Sequence, residues 1–205
     1  MDTIYDVALC FNGALTECGF PEHSIEAYNG FVGGNLETIV TKLLPEQDRT
    51  EYNIERVKKA YRSLYSNSAK KNTKPYAGIP EMLYHLKERG FTLAVNTNKG
   101  QILTDELLDK LFTKELFSAI VGYDESRPAK PDPFGVDLIC RQCGMQREDA
   151  MYIGDGMSDI NTADNAGIPC VFVTWGQGTE NDRNDSRIYC VVDSVTELEQ
   201  VILQE

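Results

Sequence analysis

The stretch Ala150-Met151-Tyr152-Ile153-Gly154-Asp155-Gly156-Met157-Ser158-Asp159-Ile160 decides the fold class that we predict for this chain. A short apolar run ends in Gly154-Asp155-Gly156, and residues at helical spacing then continue as far as Gly167. This pattern predicts a strand, a tight loop and a helix. Because ligands of an open α/β sheet bind at the carboxyl ends of its strands, we expect Asp155 to face such a crevice, with Asp159 one helical turn later.

The carboxylates of Asp155 and Asp159 suit a hard divalent cation. Mg²⁺ takes oxygen ligands and keeps coordination positions for water and for a substrate phosphate. A purely structural interpretation also exists, because an Asp is common in turns and an Asp near a helix N-terminus interacts favourably with the helix dipole. The spacing of the two residues leaves both interpretations open.

The composition indicates a globular chain and excludes some classes of partner. The 205 residues carry a net charge of −12, which disfavours binding to nucleic acid or to an anionic membrane surface. No apolar run reaches the roughly 20 residues of a membrane span, and the first residues do not form a signal peptide. The six cysteines are scattered among apolar positions, so we expect reduced thiols and a cytoplasmic location.

The first 74 residues predict helices only. Apolar residues recur at helical spacing over 3–18 and over 51–65, and Asn35 is placed to cap a helix that begins at Leu36. A polar, lysine-rich link over 66–74 ends this helical block. We therefore expect residues 1–74 to form a separate helical unit.

From Pro75 onward, helical and strand patterns alternate. The predicted strands are 91–96, 117–122, the strand that ends at Asp155, 170–174 and 188–192. Helices are predicted between them, and Ser194 with Glu197 forms a capping box for a closing helix. Alternation of this kind implies an α/β unit over residues 75–205, with a parallel sheet wrapped by helices.

Two further strand ends carry residues that could bind phosphate. Thr97 and Asn98 follow the strand 91–96, where a hydroxyl and neighbouring backbone N–H groups can hold a phosphate oxygen. Lys130 stands between two prolines, which restrict its position. Alternatively, Thr97 caps the helix near Gln101, and Lys130 is a solvating surface residue like most lysines.

Thr97, Lys130 and the pair Asp155 and Asp159 occur in this order at successive loop ends. With these residues in this order, the sequence resembles the haloacid dehalogenase superfamily, and within it the phosphoglycolate-phosphatase-like branch. The matching motifs are Val95-Asn96-Thr97-Asn98-Lys99, Ala129-Lys130-Pro131-Asp132-Pro133, Gly154-Asp155 followed by Asp159, and Phe31-Val32-Gly33-Gly34 in the helical block. The resemblance covers nearly the whole chain.

The resemblance implies a Rossmann-like core over 75–205 and a helical cap over 1–74. It implies a Mg²⁺-dependent phosphatase of small phosphorylated metabolites that acts through an aspartyl-phosphate intermediate. The residues that it assigns to the site are Thr97, Asn98 and Lys130 as catalytic residues, Asp155 and Asp159 as metal ligands, and Gly34 and Asn35 as substrate-binding residues.

The first motif of the family, Asp-x-Asp-Gly-Thr-Leu-x-Asp, does not occur in the sequence. One placement puts it on residues 10–15, where both catalytic carboxylates would be replaced, and this would make the chain a non-catalytic relative that binds a phosphorylated ligand or a protein partner. The other placement, which we favour, puts the tail of the motif on Met1-Asp2-Thr3 and makes residues 4–19 the first helix of the cap.

The second placement leads to two expectations. The first core strand would be missing, so the two strands that flank it would each have an open edge. The chain would also lack its nucleophile and would be inactive as given.

Overall fold

The computed structural model describes residues 1–113 and 115–204. The described chain separates into two compact units, Met1–Lys74 and Pro75–Glu205. Every helix among the described residues is too short or too polar to span a lipid bilayer.

The unit Met1–Lys74 is helical, as the sequence predicts. Its helices are α1 (Ile4–Cys18), α2 (Tyr28–Phe31), α3 (Leu36–Leu43) and α4 (Glu51–Asn67). Helix α1 ends at Gly19, which adopts the left-handed conformation that glycine tolerates. Asn35 caps α3, because its side chain accepts a hydrogen bond from the backbone N–H of Thr38.

Aromatic rings and one buried carboxylate hold this helical unit together. The rings of Phe11 and Tyr61 stack with their centroids 3.8 Å apart, so α1 packs directly against α4. The buried side chain of Asp6 accepts hydrogen bonds from the backbone and side chain of Asn72 and from the hydroxyl of Thr73. These bonds tie the segment after α4 back to the start of α1.

Residues 10–15 lie inside α1, and Phe11, Ala14 and Leu15 are buried on its inner face. The placement of the first family motif on these residues is therefore wrong, since that motif follows a strand. The apolar residues of this stretch recur at intervals of three and four, which is the period of a helix and not of a strand.

The unit Pro75–Glu205 alternates helices and strands. Its elements are, in chain order, α5 (Ile79–Glu88), β1 (Ala94–Gly100), α6 (Gln101–Leu111), β2 (Ala119–Tyr123), α7 (Phe134–Cys143), β3 (Tyr152–Gly154), α8 (Met157–Ala166), β4 (Cys170–Val173), α9 (Glu180–Arg183), β5 (Cys190–Val192) and α10 (Val195–Gln204). All strand pairs within the described part of this unit are parallel.

Strand β4 shows how helices cover both faces of the sheet. Cys170 and Phe172 contribute to a core with residues of α7 and α8, whereas Val171 and Val173 pack with residues of α5 and α10. All four residues are buried. A short, continuous apolar run is typical of a parallel strand that is covered on both faces.

The predicted strand 91–96 is placed too early. Strand β1 begins at Ala94, because the backbone N–H of Phe91 still bonds to Leu86 at the end of α5. It extends beyond the expected turn to Gly100, which pairs with Tyr123 across a register shift. Thr97 and Asn98 therefore belong to the last part of a strand.

The predicted start of the last strand is also wrong by two residues. Strand β5 begins at Cys190, whereas the prediction was 188–192. The backbone N–H of Ile188 is used by a turn to Asp185, so Ile188 does not join the sheet. The predicted capping box of α10 is partly correct. The Ser194 hydroxyl accepts a hydrogen bond from the backbone N–H of Glu197, but the Glu197 carboxylate accepts one from the backbone N–H of Asp193 and not of Ser194.

The strands of the described chain form two separate sheets, in the orders β1-β2 and β3-β4-β5. Strand β1 pairs with β2 alone and β3 with β4 alone, so each has one edge without a partner among the described residues. Ile153 in β3 is 38% exposed, and none of the seven residues of β1 is fully buried. The expected open edges are present in the structure.

Candidate functional site

The carboxyl ends of β1, β2 and β3 bring three of the predicted site residues, Asn98, Lys130 and Asp159, together. Asn98 lies at the end of β1, Lys130 lies in the loop between β2 and α7, and Asp159 lies in the first turn of α8 after β3. Direct contacts join Lys130 to both Asn98 and Asp159. These contacts form because parallel strands end at the same side of the unit.

Asn98 holds the backbone of Lys130 by two hydrogen bonds. Its amide nitrogen donates to the carbonyl oxygen of Lys130 at 3.2 Å, and its amide oxygen accepts from the backbone N–H of Lys130 at 2.9 Å. A side-chain amide that pairs with both groups of one residue fixes the position of that residue. Asn98 therefore acts on the site through Lys130.

Lys130 and Asp159 form a buried ion pair. The Lys130 Nζ atom donates to Asp159 Oδ1 at 2.6 Å, and the two side chains are only 13% and 12% exposed. Burial by itself would lower the pKa of Lys130, but the attraction and hydrogen bond of Asp159, together with Tyr152, raise it above its ordinary value. Lys130 is therefore a permanent positive charge in this site.

Asp155 lies beside this ion pair. Its Oδ2 atom accepts a hydrogen bond of 2.6 Å from the backbone N–H of Gln177, and its own N–H donates to Asp159 Oδ2 at 3.2 Å. Burial and the negative charge of Asp159 raise the pKa of Asp155, although Gln177 and Lys130 oppose this rise. Oδ1 of Asp155 accepts no hydrogen bond from the described part of the chain.

Thr97 lies one residue before Asn98 and is partly buried. Its hydroxyl oxygen accepts a hydrogen bond of 3.2 Å from the backbone N–H of Lys99. Because the hydroxyl oxygen accepts this bond, the hydroxyl proton can be donated to a phosphate oxygen. Its position in β1, three residues before the strand ends, is compatible with the predicted role.

Gly34 and Asn35 lie in the helical unit, just before α3. Both Gly33 and Gly34 have positive φ values, of 145° and 85°, so this turn depends on glycine. The side-chain oxygen of Asn35 accepts from the backbone N–H and the hydroxyl of Thr38, at 2.9 and 3.0 Å. The amide oxygen of Asn35 is thus used for helix capping.

The structure adds two residues that the sequence reasoning missed. Tyr152 lies beneath the site, with its ring centroid 5.9 Å from Lys130 Nζ and its hydroxyl 3.5 Å from the carbonyl oxygen of Asn96. Gln177 binds Asp155 through its backbone N–H. The glycines on either side of Gln177 indicate a close backbone contact, but only the fold determines that the contacted residue is Asp155.

The arrangement combines a fixed cation with two neighbouring carboxylates. No group of three or more His, Cys, Asp or Glu side chains able to hold a metal ion occurs in residues 1–113 and 115–204. A metal ion in this site would therefore depend on few protein ligands and on water or a ligand phosphate, which is the usual mode of Mg²⁺ binding. The positive Lys130 would attract an anion to the same place.

Comparison with known sequences gives a consistent result. The sequence model of the family described as haloacid dehalogenase-like hydrolase matches residues 1–173. The phosphoglycolate phosphatase of Aquifex aeolicus is 33% identical over 176 residues, which are 86% of this chain and 80% of that protein. The phosphoglycolate phosphatase of Nitrosococcus oceani is 26% identical in an alignment 207 positions long, which covers 100% of this chain and 92% of that protein.

Solved structures share the fold. A protein from Lactobacillus delbrueckii subsp. bulgaricus is 25% identical, with a TM-score of 0.92 over 100% of this chain and 94% of that chain. CbbY from Rhodobacter sphaeroides, crystallised in complex with phosphate, is 20% identical, with a TM-score of 0.76 over 96% of this chain and 90% of that chain. The second likeness concerns the fold alone.

Proposed function

Because the chain belongs to the haloacid dehalogenase-like hydrolases, we propose that it is built for the Mg²⁺-dependent hydrolysis of small phosphorylated metabolites. The observation that carries this proposal is the meeting of Asn98, Lys130, Asp155 and Asp159 at the carboxyl ends of neighbouring strands. Phosphoglycolate is the first substrate to test, because the relatives from Aquifex and Nitrosococcus are phosphoglycolate phosphatases.

Lys130 and Thr97 would bind the phosphoryl group of the substrate. Hydrolysis of a phosphate monoester is extremely slow without a catalyst, so the site must neutralise the charge of the transferring group. The Lys130 ammonium supplies positive charge, and Asn98 keeps Lys130 in place. Thr97 would add a hydroxyl donor to a phosphate oxygen.

The residues of the site fit a hydrated Mg²⁺ ion. Asp155 has one oxygen without a hydrogen bond from the described chain, and this is the oxygen that a cation could bind. Ser158 Oγ and Gln177 Oε1 are buried without a hydrogen-bond partner in the described chain, and such oxygens can bind metal-coordinated water. Bound Mg²⁺ would neutralise charge on the phosphoryl group.

Asp155 would hold the metal, and Asp159 would support it. Both oxygens of Asp159 already accept hydrogen bonds, one from Lys130 and one from the backbone of Asp155. Asp159 would thus balance Lys130 and orient the loop that carries Asp155. We also propose that the helical unit is the cap and that Gly34 and Asn35 contact the substrate.

The nucleophile of the family is an aspartate of the first motif, and that motif does not occur in residues 1–205. In the family it follows the first core strand. Among the described residues, β1 and β3 each have one edge without a partner strand, which is compatible with such a strand between them. We therefore propose that a polypeptide of residues 1–205 alone does not turn over phosphate esters, and that a strand carrying the Asp-x-Asp pair completes the site.

The test compares three polypeptides with p-nitrophenyl phosphate and phosphoglycolate in Mg²⁺. These are residues 1–205, the same chain extended at its N-terminus by a strand with the Asp-x-Asp motif, and that extension with Asn at both positions. We expect phosphate release from the Asp extension only. Its Lys130→Ala variant should lose at least 100-fold in kcat/KM, about 2.7 kcal/mol, because the phosphoryl charge is no longer balanced.

Turnover by residues 1–205 at ordinary enzyme rates would contradict the assigned nucleophile. The alternative, a non-catalytic protein that binds a phosphorylated ligand, predicts a different pattern. Calorimetry would then detect phosphoglycolate binding, while even the Asp extension would release no phosphate.

A further inference from the structure

The loop after β4 contacts Asp155 through three consecutive residues, Gly176, Gln177 and Gly178. The backbone N–H of Gln177 donates to Asp155 Oδ2 at 2.6 Å. The glycines on either side lie against Asp155 itself, one against its carboxylate and the other against its carbonyl oxygen. We call this segment the GQG loop.

Both glycines of the GQG loop are required by close approach. A Cβ atom at Gly176 would overlap the Asp155 carboxylate, and a Cβ atom at Gly178 would overlap the Asp155 carbonyl oxygen and lie 2.7 Å from the Phe172 ring. Neither glycine has a positive φ, so the backbone conformation does not demand glycine at these positions. The missing side chains allow the loop to pack onto Asp155.

The packing has a selective effect on the two oxygens of Asp155. Oδ2 accepts the Gln177 N–H and lies against Gly176, whereas Oδ1 accepts no hydrogen bond from the described part of the chain. One oxygen is therefore held by protein and the other is left for a ligand. Ligating carboxylates are commonly held in this way by neighbouring hydrogen-bond donors.

We infer that the GQG loop is a positioning element that fixes the Asp155 side chain for a divalent cation. The inference rests on the proposed role of Asp155 as a metal ligand. It assigns to Gly176, Gln177 and Gly178 a role in metal affinity, although none of them contributes a ligand to the metal.

The first test measures Mn²⁺ binding by electron paramagnetic resonance, with Mn²⁺ as a probe for the oxygen-ligand site. We expect Gly176→Ala to weaken Mn²⁺ binding by about 10- to 100-fold, the usual effect of removing support from a ligand. The control is Gly100→Ala in the same unit, because a Cβ atom there meets no other atom within 4 Å. Equal affinity of both variants and the parent would overturn the inference.

A double-mutant cycle in urea tests the contact without any metal. Asp155→Gly removes the side chain that the new methyl group of Gly176→Ala would strike, so Gly176→Ala should cost less stability in that background than in the parent. The cost of Gly178→Ala should not change, because its new methyl strikes the backbone oxygen of residue 155, which remains. Equal costs of Gly176→Ala in the two backgrounds would contradict the assigned contact.

The two measurements separate this inference from the proposed function. If neither residues 1–205 nor the chain extended by the Asp-x-Asp strand binds Mn²⁺, the metal role of Asp155 fails, and a positioning role toward a metal fails with it even when the cycle shows coupling. If the parent binds Mn²⁺ and the cycle shows coupling, but Gly176→Ala binds normally, the proposed function stands and the positioning inference is wrong.

Discussion

At the scale of single residues, the site depends on how buried charges compensate one another. Lys130 is paired with Asp159 at 2.6 Å, whereas Asp155 has no cation in direct contact among the described residues. Consequently the pKa of Lys130 is raised in favour of its charged form, while the pKa of Asp155 is raised in favour of its neutral form. The two groups therefore respond in opposite ways to substitution.

Lys130→Met should destabilise the protein strongly. It leaves the carboxylate of Asp159 buried without its partner, and breaking a buried ion pair costs about 3–5 kcal/mol. Urea unfolding measures the change. The exposed lysine Lys42 provides a control, because Lys42→Met should change the free energy of unfolding by less than about 0.5 kcal/mol. If Lys130→Met cost no more than this control, the ion pair would be unimportant for folding.

Asp155→Asn should stabilise the metal-free protein at pH 7. Since the folded-state pKa of Asp155 lies above its ordinary value of 3.8, ionisation of this group opposes folding as the pH rises through the folded pKa. The gain from Asn should therefore shrink as the pH is lowered toward the ordinary pKa. Thermal unfolding of the parent and the variant in EDTA, at pH values from neutral to acidic, measures this stability gain. A gain that grows as the pH falls would contradict the raised pKa of Asp155.

At the scale of secondary-structure elements, helix α1 is held by the carboxylate of Asp6, whose pKa is lowered, whereas that of Asp155 is raised. Asp6 accepts hydrogen bonds from Asn72 and Thr73, which lie 66 and 67 residues further along the chain. Burial by itself would raise the pKa of Asp6, but these hydrogen bonds lower it below its ordinary value. The contact joins the first helix of its unit to the segment after α4.

Asp6→Asn should destabilise the protein by about 1–3 kcal/mol at pH 7, because one acceptor oxygen is replaced by a donor. The stabilisation from a lowered pKa is present above 3.8 and is lost as the pH falls through the folded pKa. The difference between the variant and the parent should thus diminish at acidic pH. Urea titrations at several pH values measure it, with Glu17→Gln on the exposed face of α1 as the control. Equal effects of the two substitutions at pH 7 would disprove the role of Asp6.

At the scale of the whole molecule, the parallel strands are divided between two sheets. Strands β1 and β3 each have one edge without a partner strand in the described part of the chain, and an open strand edge is a template for association with another chain. Ile153 adds an exposed apolar side chain to the edge strand β3. The net charge of −12 opposes association over longer distances.

Ile153→Lys should therefore reduce self-association of residues 1–205. A lysine on an open strand edge disfavours pairing with a second strand. Light scattering as a function of protein concentration measures the effect. Ile102 is the matched control, because it is also an exposed isoleucine, at 74%, but lies on helix α6 and not on a strand. If Ile102→Lys reduced association as much as Ile153→Lys, general hydrophobicity and not the strand edge would be the cause.

The sequence alone is enough to predict the order and type of the elements, since helical and strand periods are local properties of the chain. It placed α1, α3 and the α/β alternation correctly, and it identified the loops that carry Lys130 and Asp155, whereas Thr97 lies within β1. It misjudged the start of β1, because the last turn of α5 uses the Phe91 N–H, a competition that apolar spacing does not reveal.

The assembly of the site depends on long-range contacts that no local pattern predicts. The pairing of Asn98 with Lys130, of Lys130 with Asp159 and of Gln177 with Asp155 joins residues 22 to 32 positions apart. Such contacts depend on which strand ends become neighbours and on how closely loops approach each other. Periodicity describes the environment along one element, whereas the free energy of a buried charge depends on the partner that the fold places beside it.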